Sequence, residues 1–149
     1  MNTLVLCIAL MSCSFVFSAS EIALFSLSRV QLKKIKDRSE PLFRRIRTLI
    51  HDSFGILITV LLFNEIVNIA IGSIITSQVI EPLGLDYRMQ ILFGVVLTTP
   101  VILICCEITP KVLATRANSL IVSLFLPIVY PFYILAKPIA GLFKWFLPM

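Results

Sequence analysis

Histidine occurs once in this chain, at position 51. A His-pair zinc site and a nucleophile–His–acid set both need more than that, and no phosphate loop is present either. His51 stands beside Asp52, where it reads as a capping or interfacial residue. An intramembrane hydrolase would need its base at another depth, so no enzymatic activity is expected. Cysteine is also sparse: Cys7, Cys13, Cys105 and Cys106, with no Cys-x-x-Cys pair. Neighbouring Cys105 and Cys106 would strain a disulfide. All four read as small apolar packing residues, and a soft-metal site lacks supporting His or Met. Charge is scarce too, at 14% of residues.

What is abundant is apolar surface. The chain is 58% hydrophobic, with mean hydropathy +1.00. That is the composition of an all-α integral membrane protein. No Lys or Arg precedes Arg29. The small residues Ser18, Ala19 and Ser20 after an apolar core, and Leu10-Met11-Ser12-Cys13, imitate cleavage sites, but a positive leader segment is missing. Hydrophobicity resumes at Ile22, so the first run reads as a retained span.

The basic residues cluster. Arg29, Lys33, Lys34, Lys36, Arg38, Arg44, Arg45 and Arg47 fall in one loop, which the positive-inside rule places in the cytoplasm. A loop between two spans is a poor nucleic-acid site, and no nucleic acid is expected. Three spans follow, at about 3–28, 54–80 and 89–113, with the N-terminus outside and the C-terminus inside. Val30, Leu32 and Ile35 continue the first helix, and Pro41 breaks it. Residues 42–51 read as a short amphipathic helix on the inner surface.

The tail, about 118–147, is apolar but holds Pro127, Pro131, Pro138 and Pro148. Frequent proline argues against one straight span. A fourth span from Leu120 to Ala136 and a pair of interfacial helices both fit. Trp145, Tyr130 and Tyr133 would anchor the second arrangement.

Polar residues gather inside the spans. Ser14, Ser18 and Glu21 share one helix face, and Asn64 and Asn68 share another, with Glu65 beside them. Gly72 and Ser73 allow close approach of helices, and Ser14, Thr98 and Thr99 read as interhelical hydrogen-bonding groups. Glu107 is the most informative residue. An ionised acid in hydrocarbon costs about 2.5–3.5 kcal/mol even on lenient scales, so it must be paired, protonated or cation-bound. Pro110 has no N–H, which frees the carbonyl of Cys106 in a regular helix. A carboxylate beside a freed carbonyl suits a hard cation. The plainer alternative is an interfacial ion pair with Lys111 at i+4.

Three segments carry a resemblance: Phe17-Ser18-Ala19-Ser20-Glu21-Ile22-Ala23-Leu24, Leu62-Phe63-Asn64-Glu65-Ile66-Val67-Asn68, and Cys106-Glu107-Ile108-Thr109-Pro110-Lys111. They resemble the F-S-G-x-E-x-A-L, G-N-x-x-V-N and G-E-I-x-P-K signatures of the CorC/CNNM (cyclin M) magnesium transporters, in their DUF21 transmembrane domain. The resemblance covers essentially residues 1–149. It implies three transmembrane helices per subunit, a belt of juxtamembrane helices, and a homodimer. It also implies Mg2+ export, driven by Na+ entry, by alternating access. The family's ion site falls on Ser18, Asn64, Asn68 and Glu107, with Ser20 and Glu21 as secondary candidates. A non-transporting divalent-cation sensor or scaffold is the alternative.

The family glycines are replaced by Ala19, Phe63 and Cys106. Phe63 is bulky, and Glu65 adds an acid. Cytoplasmic CBS domains, which bind ATP and commonly follow this domain in the family, have no counterpart here. The chain therefore reads as an isolated transmembrane domain without nucleotide regulation of its own.

Overall fold

The computed structural model describes residues 2–146. Helix α1 runs Asn2–Phe25, α2 Arg29–Arg38, α3 Glu40–His51 and α4 Ser53–Ile75. Helix α5 is Tyr87–Ile102, α6 Thr109–Arg116 and α7 Asn118–Phe146. A wide π turn at Thr76–Ile80 extends α4, and a second at Leu103–Ile108 joins α5 to α6. Four helical stretches are long and apolar enough to cross a bilayer: Thr3–Phe25, Ser53–Leu83, Tyr87–Arg116 and Asn118–Trp145. The molecule is an all-α membrane protein.

The basic segment departs from expectation. The first helix does not continue to Pro41; it stops at Phe25 and restarts at Arg29. The cause is local. Ser28 and Gln31 form a reciprocal capping box that satisfies the first amides of a new helix. Pro41 then opens α3 rather than ending anything, because its missing N–H lies in a first turn where none is needed. α3 buries Ile46 and Leu49 against the bundle and turns Arg44, Arg45 and Arg47 outward. Asp52, not His51, is the cap of α4, and it accepts from the Gly55 amide at 3.1 Å. At the far end, Gly84 adopts φ 64° to close the turn before α5.

Of the two arrangements open for the tail, the pair of helices is not what forms; the tail is one helix, long and apolar enough to cross a bilayer. It is not stopped by proline. α7 is continuous through Pro127, Pro131 and Pro138, and Pro148 lies outside the described residues. Its buried stripe is Asn118, Ile121, Val122, Leu126, Val129, Tyr133, Ala136 and Ala140, which follows the helical repeat. The prolines fall outside that stripe, and packing against α1 and α4 holds the helix together.

Both ends of α7 bond to the same end of the bundle. At its start, Asn118 donates to the Ser26 carbonyl at 2.8 Å, just after α1, and accepts from Gln31 at 2.7 Å. Towards its end, Tyr133 and Lys144 donate to the Asp52 carboxylate at 2.7 and 2.6 Å, just before α4. From Asn118 to Lys144 a helix rises about 39 Å. Between these contacts α7 packs on both α1 and α4. Tyr133, an interface anchor in the two-helix arrangement, is turned into the bundle and is 2% exposed.

Candidate functional site

A polar cluster sits where α1, α4 and the π turn before α6 meet. The i, i+4 spacing of Asn64 and Asn68 sets both amides on the α4 face that meets α1. The single hydroxyl proton of buried Ser14 is shared between Asn64 Oδ1 at 2.5 Å and Asn68 Oδ1 at 3.0 Å. Asn68 Nδ2 in turn donates to Glu107 Oε1 at 3.3 Å. One chain of hydrogen bonds thus joins three apolar helical stretches.

Glu107 reaches this position from a π turn. The Thr109 amide donates to Ile104, five residues back. In that register the donor missing at Pro110 is the one Cys105 would have used, one residue before the carbonyl that a regular helix would free. The expected ion pair between Glu107 and Lys111 does not form. Lys111 reaches across to Glu21 instead, at 3.9 Å.

The remaining sequence candidates divide. Ser18 is fully buried, and its hydroxyl has no hydrogen-bond partner. Thr98 on α5 is in the same condition. Buried hydroxyls are nearly always paired, so these two lack a partner that the protein's own groups supply. Ser20 is committed to its own helix, donating to the Val16 carbonyl at 2.6 Å. Ser14, read from sequence as a helix–helix contact, is the direct partner of both asparagines. Its shared face with Ser18 and Glu21 was the available signal.

Glu65 is exposed and faces two grooves. One, of about 480 Å³, is bordered by Glu65, Asn68, Thr98 and Glu107. The other, of about 310 Å³, is bordered by Glu21, Asn64, Glu65, Glu107 and Lys111. Glu107 borders both, so acids outnumber the single base around the cluster. The donors are carboxylate, amide and hydroxyl oxygens, the set that suits a hard cation. Among the described residues, no three His, Cys, Asp or Glu side chains converge. A cation here would therefore keep much of its water, as Mg2+ does.

The replacements of the family glycines are accommodated. Ala19 and Cys106 are fully buried. Phe63 turns away from the asparagines and stacks on Phe17, with centroids 5.7 Å apart, while Phe132 of α7 meets it edge-on at 5.0 Å. The bulk that threatened the site instead fastens α7 to α4 and α1.

Comparison with curated proteins gave no match. Residues 5–149 match the family model of the cyclin M transmembrane N-terminal domain. The match spans nearly the whole sequence, and Asn68 of the second resembling segment is hydrogen-bonded to Glu107 of the third: the chain belongs to the cyclin M transmembrane N-terminal domain family.

Proposed function

We propose that this chain carries Mg2+ out of the cell in exchange for Na+, by alternating access through the cluster of Ser18, Asn64, Asn68 and Glu107. The family is one of membrane transport rather than of catalysis. The observation that carries the reading is the hydrogen-bonded chain Ser14–Asn68–Glu107, with the buried, unpaired Ser18 hydroxyl one turn along α1 from Ser14. Ser14 orients the amide oxygens, Glu107 supplies charge, and Ser18 offers a free oxygen. Mg2+ is the cargo, bound partly through its own water. Glu21, tied to Lys111, and Ser20, tied to its own helix, act on helix shape rather than on the ion.

Three spans with an N-terminus outside and a C-terminus inside agree with the basic loop. That both ends of α7 bond to one end of the bundle supports its lying at the inner surface as a belt rather than spanning. A homodimer in the plasma or inner membrane completes the reading. Only 17% of the most apolar window of Tyr87–Arg116 is buried within the chain, the lowest share among the four candidate spans. That favours the α4–α5 groove, with Gly72 and Gly94 nearby, as the face for a second copy. Pro100 and the two π turns are the joints at which α5 and α6 can move relative to α1 and α4.

The test is Mg2+ flux in proteoliposomes under an imposed Na+ gradient, with Glu107→Gln as the comparison. Flux that needs both Glu107 and the gradient is the expected result. Mg2+ binding without flux from folded wild-type protein would instead support a sensor.

A further inference from the structure

A second built pocket lies at the opposite polarity. It is formed between α2 and the start of α7, with a volume of about 470 Å³. Its polar lining is Lys34 and Arg38 from α2, Ser39 from the link to α3, and Ser119 and Ser123 from α7. No acid lines it. Among the described residues, neither Lys34 nor Arg38 takes part in an ion pair. By contrast, Arg44 is paired with Glu40 and Lys144 with Asp52.

The hydroxyls differ in availability. Ser123 donates to its own helix, to the Ser119 carbonyl at 2.8 Å. Ser39 makes no side-chain cap, so the first amides of α3 also lack one. Two cations at i and i+4 on one helix face, an uncommitted Ser39 hydroxyl and an uncapped helix start form one donor-rich surface. A phosphate group is the chemistry that surface would take.

The surroundings indicate the source of that phosphate. The floor of the pocket is Ile35 and Leu42. Beside its serines, Leu120 and Leu124 are 67% and 60% exposed. A polar pocket that opens onto an exposed apolar strip fits an amphiphile, not a free ion. The basic loop also marks this level as the one where headgroups lie. We infer that the α2–α7 pocket holds the phosphate of an anionic phospholipid, whose acyl chains lie along Leu120 and Leu124. The inference is independent of the ion-transport reading.

The test is lipid retention by the intact chain in detergent, measured by native mass spectrometry with equal phosphatidylglycerol and phosphatidylcholine. The variants are Lys34→Gln/Arg38→Gln and, as an equal-charge control on the same helix, Arg29→Gln/Lys33→Gln. The expected result is that the pocket variant lowers the preference for phosphatidylglycerol about tenfold, while the control lowers it little. Exchanging the two cations, Lys34→Arg/Arg38→Lys, restores the preference and separates binding from misfolding. Equal losses in pocket variant and control would overturn the assignment, because the preference would then be general charge. Full displacement of phosphatidylglycerol by millimolar glycerol 1-phosphate would also overturn it, in favour of a soluble phosphate ligand.

Discussion

Ser14 and Ser18 lie one turn apart on α1, and they face opposite predictions. The Ser14 hydroxyl holds two asparagine oxygens. Ser14→Ala leaves the buried Asn68 and half-buried Asn64 oxygens without that donor and should cost about 1 kcal/mol, the scale of hydrogen bonds between membrane helices. A lower melting temperature in detergent, with or without Mg2+, is the expected reading. The Ser18 hydroxyl has no partner to lose. Ser18→Ala should therefore leave the melting temperature unchanged without Mg2+ and reduce the rise produced by adding it. A drop in the metal-free melting temperature of Ser18→Ala would sink the idea that this hydroxyl is reserved for an ion.

At the scale of elements, Phe63 joins α4 to α7 through one aromatic group with Phe17 and Phe132. Phe63→Ala should destabilise the fold by about 2 kcal/mol, less than a fully buried ring because Phe63 is only half-buried. Phe63→Leu, which keeps most of the contact, should cost less than half as much in a parallel detergent melt. Equal melting temperatures for all three proteins would mean that α7 is held by its polar ends alone.

The helices α1, α4 and α5 were legible because they are long apolar runs. The pairing of Asn64 with Asn68 was legible because their spacing fixes one face. Less could be read where the outcome depended on a competing local interaction. The break at Ser26–Ser28 needed the capping box to outweigh continued hydrophobicity. The course of α7 needed tertiary packing to outweigh three prolines. The π turn at Leu103–Ile108 leaves no signature in periodicity, so the carbonyl freed by Pro110 was expected one residue too late.

Across the whole molecule, Asp52 is where the α3–α4 link and α7 meet. Burial pushes its carboxyl up, but hydrogen bonds from Lys144, Tyr133 and the Gly55 amide outweigh that and hold its pKa below the ordinary 3.8. A lowered carboxylate stabilises the fold above the unfolded value. Its contribution is complete at neutral pH and is lost as pH falls below about 3.8 through the lowered folded value. Asp52→Asn keeps the shape of the group without its charge. Wild-type melting temperature should fall more steeply than that of Asp52→Asn on acidification through this window. Parallel slopes would show that Asp52 is not the group that couples α7 to pH.

The two fastenings of α7, at Ser26 and at Asp52, have a mechanical consequence. A rod pinned to two neighbouring posts at the same height makes the three a rigid frame. α1 and α4 cannot part at that rim while both pins hold. Under the proposed alternating access, an opening at that rim would have to swing on the less embraced limb, α5 with its π turn and α6: the wall that carries Glu107 would travel while the wall that carries the asparagines stayed still.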